Sequence, residues 1–123
     1  MKARFTIRGD QEDTEGIRKY SPTVQKGYIK TYLTVTAKQG WVVKTSDVSS
    51  AFLQSIPIER EVFMSPPKER QIPGIIWCLT KTVYGLADAS RGFYLSFSGE
   101  MSELGCVKLR LDPALFIYFK NNE

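Results

Sequence analysis

Trp41-Val42-Val43-Lys44-Thr45-Ser46-Asp47-Val48-Ser49-Ser50-Ala51-Phe52-Leu53 begins with the two-residue alternation of a strand. Trp41, Val43, Thr45 and Asp47 share one face of Trp41–Val48, and Val42, Lys44, Ser46 and Val48 share the other. A single carboxylate, Asp47, is therefore expected at the end of an apolar strand, followed by small residues and an aromatic, Phe52. That order suits metal-dependent nucleotidyl transfer. The acid can hold Mg²⁺, the small residues let backbone N–H groups approach a triphosphate, and the ring can floor a sugar pocket. The structural alternative is that a strand-end aspartate merely starts a turn or caps a helix.

The segments downstream weigh on that choice. Pro57-Ile58-Glu59-Arg60-Glu61-Val62-Phe63-Met64-Ser65-Pro66-Pro67 is followed by Trp77-Cys78-Leu79 and then by Val83-Tyr84-Gly85-Leu86-Ala87-Asp88-Ala89-Ser90-Arg91-Gly92-Phe93-Tyr94. Leu111-Asp112-Pro113-Ala114-Leu115-Phe116-Ile117-Tyr118 closes the series. In order and spacing this resembles the reverse transcriptase of copia-type retrotransposons. The pattern of that family reads Asp-Val-Lys-Thr-Ala-Phe-Leu, Glu-Glu-Val-Tyr-Met-x-x-Pro, Trp-x-Leu-x-Lys-x-Leu-Tyr-Gly-Leu, Ala-Pro-Arg-x-Trp-Tyr and Asp-Pro-x-Leu-Phe. Lys2-Ala3-Arg4-Phe5, Arg8-Gly9-Asp10 and Tyr20-Ser21-Pro22 are similar to the start of the same domain, so the resemblance covers nearly the whole chain. Departures are small: Ser49 and Ser50 stand where lysine and threonine are frequent, Ser90 replaces proline, and Phe93 replaces tryptophan.

The resemblance implies roles for individual residues. Asp47 matches the first catalytic, metal-binding aspartate, with the carbonyl of Val48 as a further ligand for Mg²⁺ or Mn²⁺. Phe52 matches the aromatic beneath the incoming sugar that excludes a 2′-hydroxyl, and Ser50 and Ala51 offer backbone N–H groups to the triphosphate. Tyr84 and Gly85 match a turn that packs on nucleotide and template, where glycine permits close approach. Lys2, Arg4 and Arg8 fall where the family's finger strands carry basic residues towards phosphates or template. Each has a bland counterpart: Phe52 as core, Tyr84-Gly85 as an ordinary turn, and the basic residues as a solvated strand face. For Arg91, which matches an arginine of the pattern, the sequence offers no ligand.

The family also carries an aromatic-x-Asp-Asp hairpin shortly after the Asp-Pro-x-Leu-Phe strand. The sequence runs to Asn121-Asn122-Glu123 without it, and no Asp-Asp pair occurs anywhere. Two-metal phosphoryl transfer needs several carboxylates around ions about 3.5–4 Å apart. The expectation is a partial reverse transcriptase domain over 1–123, without the second acidic palm motif, thumb or later domains. Fingers are assigned roughly to 1–40 and 57–87, and palm roughly to 41–56 and 88–123. The implied partners are an RNA or DNA template-primer, a deoxynucleoside triphosphate and the rest of the Pol polyprotein. A fragment inactive alone is one reading. A non-enzymatic remnant or adopted protein, binding nucleic acid weakly, is the other.

Composition sets outer bounds. The 123 residues suffice for one domain with a modest core, and 42% hydrophobic with 12% aromatic content argues against general disorder. A formal charge of +4 is compatible with nucleic acid without requiring it. No apolar run reaches membrane-spanning length, and the N-terminus does not read as a signal peptide, so no membrane partner is expected. Histidine is absent and Cys78 and Cys106 lie far apart, which removes a His/Cys zinc site and a Ser-His-Asp triad. Both cysteines are expected reduced and buried in an intracellular protein.

Periodicity predicts an α+β order, with short antiparallel strands packed with two main helices. Lys2–Arg8 reads as a strand and Asp10–Pro22 as a loop. Val24, Tyr28, Tyr32 and Val35 mark a helix stopped by Gly40, and Ala51–Gln54 a short helical turn that Pro57 must end. Glu61–Met64 and Ile75–Lys81 read as a hairpin with a long connection. Phe93, Phe97, Met101 and Leu104 form the core stripe of a second helix, capped by Ser90 or Asp88 and stopped by Gly105. Val107–Leu111 and Leu115–Lys120 read as strands around Asp112-Pro113.

Overall fold

Gly40 and Gly105 end the two helices in the same way. Each takes the left-handed backbone, with φ of 66° and 82°. At Gly40 the N–H donates to the Ala37 carbonyl and the Trp41 N–H to that of Thr36, at 2.9 Å. At Gly105 the N–H donates to Ser102 at 3.0 Å and that of Cys106 to Met101 at 2.9 Å. These are paired C-terminal closures that satisfy carbonyls the helix leaves open, and glycine adopts them without a Cβ penalty. The helices so terminated are α1, Lys26–Gln39, and α2, Ala89–Glu103. Both stops were legible from the sequence.

The computed structural model describes residues 6–120. Besides the helices it contains four two-residue strands: β1 (Phe63–Met64), β2 (Trp77–Cys78), β3 (Val107–Lys108) and β4 (Phe116–Ile117). β1 pairs antiparallel with β2, Phe63 opposite Cys78, and β3 with β4, Val107 opposite Ile117. The expected hairpins are thus present, shorter than the sequence suggested. The first is prolonged by the Leu79 N–H donating to Val62 at 2.9 Å and that of Ile58 to Thr80 at 3.1 Å. The turn at Ala51–Gln54 is a 3-10 helix, closed at Ser55 before Pro57 is reached.

The chain divides into two compact units. Residues 6–20 and 50–96 form one, and 21–49 with 97–120 the other, so α2 contributes to both. The first unit holds the buried apolar cluster Val83, Leu86 and Ala89, with Ile7, Phe52, Ile58, Val62 and Leu79 packed against it. In the second unit the buried side chains among the described residues are polar: Thr36, Ser98 and Asp112. Its apolar packing is local, as where Phe97 meets Phe116 edge to face at 5.7 Å.

Three expectations are corrected. Trp41–Val48 forms no strand: no ladder partner lies along it among the described residues, and its side chains are exposed, Val42 to 80%. Alternation supplies two faces, but a strand also needs a neighbour for its backbone groups. Neither cysteine is buried. Cys78 is exposed, Cys106 partly so, and both are free thiols. The helix stripes are also wetter than read, with Tyr32, Val35 and Leu104 exposed. Of the predicted Lys2–Arg8 strand, residues 2–5 lie outside the described residues, and Thr6 makes a single parallel bridge to Tyr84.

Candidate nucleotide-binding site

The first unit brings three of the sequence-predicted residues into one neighbourhood. Phe52, carried on the 3-10 turn, packs its ring against Tyr84 with centroids 4.8 Å apart and planes inclined by 59°. Next to Tyr84, Gly85 takes a φ of 100°, which L side chains rarely adopt. A Cβ on Gly85 would also collide with the Ile7 carbonyl, and one on Gly9 with the Gly85 carbonyl. The two glycines therefore let two backbone segments cross at close range. Ile7 N–H ties the crossing by donating to the Tyr84 carbonyl at 2.8 Å.

Ser50 opens the turn with a left-handed backbone, φ 53°, and accepts the Leu53 N–H at 2.9 Å. Ser50 is exposed and Ala51 half-buried. Phe52 is half-buried and belongs to the rim of the apolar cluster, so its core role is real and its exposed part remains available. Asp47 and Val48 belong to the second unit, both exposed. The Asp47 carboxylate has no hydrogen-bond partner among the described residues. Arg8 is exposed and pairs at 2.9 Å with Asp10, a surface contact that costs little to exchange. Lys2 and Arg4 lie outside the described residues.

A charged clamp that local sequence does not announce supports the Tyr84 turn. Arg60 donates through Nε and a terminal nitrogen to the two Asp88 oxygens, each at 3.1 Å, and also pairs with Glu12. The other Glu12 oxygen accepts the Ala87 N–H at 3.1 Å. The Asp88 hydrogen bonds, together with the Glu12 contact, hold the Arg60 guanidinium above its ordinary pKa, against a smaller opposing effect of burial. Asp88 spends its carboxylate on Arg60, while its backbone carbonyl accepts the Gly92 N–H at 2.9 Å at the start of α2. A cavity of about 680 Å³ beside this clamp is lined by Arg18, Arg91 and Thr82 among others, and by none of the residues assigned to nucleotide.

The donors for a metal fall short. Among the described residues no three His, Cys, Asp or Glu side chains come together as a group able to hold an ion. One carboxylate with one carbonyl does not by itself make a two-ion centre.

The model of the family described as reverse transcriptase (RNA-dependent DNA polymerase) matches residues 1–123. The chain belongs to that family. It is similar to the Retrovirus-related Pol polyprotein from transposon TNT 1-94 of Nicotiana tabacum, 33% identical over 125 residues, covering 97% of this chain and 9% of that protein. The Retrovirus-related Pol polyproteins from transposons RE2 and RE1 of Arabidopsis thaliana are 29% and 28% identical over 121 residues, each covering 94% of this chain and 8% of the relative. This reverse transcriptase segment thus spans less than a tenth of the length of those curated relatives. No solved structure matches it. The copia-type resemblance carried by the Asp47–Leu53 and Val83–Tyr94 blocks is borne out. Among the described residues no helix is long and apolar enough to cross a membrane.

Proposed function

We propose that this chain is the front part of a copia-type RNA-directed DNA polymerase and forms one wall of its deoxynucleotide site. The observation that carries the reading is the Phe52–Tyr84 ring pair beside the Gly9–Gly85 crossing. Residues 32 positions apart, assigned by the family to sugar and nucleotide, meet in space. Phe52 would press on the deoxyribose where a 2′-oxygen has no room. Ser50 and Ala51 would present backbone N–H groups to the triphosphate. Gly85 would let the Tyr84 turn approach base and template. Lys2, Arg4 and Arg8 would meet phosphates, Arg8 by leaving Asp10.

Asp47 and the Val48 carbonyl would supply part of the Mg²⁺ or Mn²⁺ ligation of a complete domain, whose remaining carboxylates come from outside the described residues. In that domain a primer 3′-hydroxyl would be extended on an RNA or DNA template. The fingers would comprise roughly 1–40 and 57–87 and the palm roughly 41–56 and 88–123, inside the cell and alongside the rest of a Pol polyprotein.

Since no cluster able to hold an ion is found among the described residues, a second reading is a non-enzymatic remnant or adopted protein with weak nucleic-acid affinity. Primer extension separates the cases. The purified 123-residue chain should give no templated product with Mg²⁺, whereas a chain continued through an aromatic-x-Asp-Asp hairpin should, with Asp47→Asn abolishing it. Failure of the continued chain to extend a primer would leave the remnant reading. Extension by 1–123 alone, lost on Asp47→Asn, would overturn the assignment of a partial site.

A further inference from the structure

The turn that carries Phe52 is fastened by two hydroxyls with almost no access to water, Ser55 and Thr82, 2% and 3% exposed. Thr82 Oγ1 lies 3.0 Å from the Phe52 carbonyl oxygen and 2.8 Å from Ser55 Oγ. The Thr82 N–H donates to Ser55 Oγ at 3.3 Å. Ser55 Oγ donates its one proton to the Ile56 carbonyl at 3.0 Å, so the Thr82 hydroxyl proton is shared between the Phe52 carbonyl and Ser55 Oγ. Water cannot replace a partner lost there. Behind them a Cβ on Gly92 would come within 3.2 Å of Thr82 Cγ2 and 3.3 Å of Ser55 Cβ, so α2 backs the pair closely.

Two residues on from Thr82, the Tyr84 ring packs on Phe52, while Val83 between them enters the apolar cluster. Thr82 and Tyr84 thus share one side of the segment, and Phe52 meets that side while also packing at the rim of the cluster. We infer that Thr82 is a positioning residue for Phe52: its hydroxyl fixes the turn through the Phe52 carbonyl and so sets the ring against Tyr84. Discrimination between deoxyribose and ribose then depends on a buried residue that touches no nucleotide. The consequence for discrimination rests on the sugar-gate reading of Phe52, whereas the positioning itself does not.

Proton cross-peaks between the Phe52 and Tyr84 rings, recorded on the whole 123-residue chain, test the positioning directly. Thr82→Val keeps the shape and removes the donor, and should weaken those cross-peaks, since one lost hydrogen bond shifts the equilibrium between packed and unpacked rings about fivefold. Thr82→Ser, which keeps the hydroxyl, should restore them, and the methyl shifts of Val83, Leu86 and Ala89 should stay near parental in both. Parental cross-peaks in Thr82→Val would overturn the inference. If Thr82→Val does not fold, Thr82→Ala compared with Thr82→Ser decides: cross-peaks weakened in Thr82→Ala alone support the inference, and unchanged ones in both overturn it. In a catalytically complete domain, Thr82→Val should lower the preference for deoxynucleotide over ribonucleotide, and Thr82→Ser should not. If Phe52→Val changes that preference and Thr82→Val does not, Thr82 is no positioning residue for discrimination. If Phe52→Val itself leaves it unchanged, the sugar-gate reading fails instead, with the ring cross-peaks still deciding the positioning.

Discussion

The Asp112 carboxylate accepts the backbone N–H of Gln25, 87 residues earlier, at 2.9 Å. Gln25 is the residue from which α1 departs, and its own side chain makes no capping bond. The other Asp112 oxygen accepts the Ala114 N–H at 3.0 Å, fixing the Asp112-Pro113 turn. One buried side chain, 2% exposed, thus joins the start of a helix to the β3–β4 connection within the second unit. It also places negative charge near the positive end of α1.

Asp112→Ala should therefore be the costliest single truncation in the second unit, at about 2–3 kcal/mol for two orphaned backbone donors. Asp112→Asn, which keeps one acceptor, should cost less. Denaturant midpoints of the three proteins check the order. Equal stability of Asp112→Ala and parent would show that neither bond matters.

Glycine substitutions should split by position. Gly85→Ala must bend a backbone held at φ 100° and push the Ile7 carbonyl aside, so a loss above about 2 kcal/mol is expected. Gly27 lies in the first turn of α1 with open space where a Cβ would go, so Gly27→Ala should gain up to about 0.5 kcal/mol. Thermal midpoints moving in opposite directions would bear this out.

How far the sequence could carry such arguments differs by element. Gly40 and Gly105 act through their own backbone and the turn just before them, so reading them as stops needed no tertiary information. The Ala51–Gln54 turn was legible for the same reason, whereas the hairpins were legible from apolar runs on either side of a breaker-rich connection. Trp41–Val48 was misread because alternation records which residues share a face, not whether a second strand lies alongside. The Arg60–Asp88–Glu12 clamp and the Thr82–Ser55 pair join positions 27 or more residues apart through single side chains, which no periodicity encodes. At the candidate site, the family pattern singled out Phe52, Tyr84 and Gly85. Only geometry revealed that Phe52 and Tyr84 touch and what holds them.

The two units should differ in local stability. Buried apolar side chains among the described residues belong to the first unit, whereas the second leaves Trp41, Val42, Val43, Tyr118 and Phe119 in water. Burial of apolar surface dominates resistance to opening. Amide hydrogen exchange should be slower at Val83, Leu86 and Ala89 than across β3 and β4, by at least about tenfold. The exposed apolar surface should also drive concentration-dependent self-association of the isolated chain, visible by light scattering. Uniform protection in a monodisperse monomer would contradict both expectations.

Phe52 gives the most direct test of function, because its two roles predict different measurements. Its ring packs against the apolar cluster and against Tyr84, so truncation costs stability whatever else it does, about 3 kcal/mol for Phe52→Ala. A sugar gate adds something that packing alone does not. Exclusion of a 2′-oxygen is a steric difference between two bound nucleotides, so removing the ring should favour the ribonucleotide specifically. In a domain continued through its acidic hairpin, Phe52→Val should narrow the ratio of deoxynucleotide to ribonucleotide kcat/KM by about tenfold or more, with a smaller fall in the deoxynucleotide value. A residue that is only core would lower both values together. Measuring the two efficiencies at a temperature below the variant's melting point keeps the stability loss out of the ratio. An unchanged ratio under those conditions would remove Phe52 from the site and leave it as the lid of the Val83–Leu86–Ala89 core.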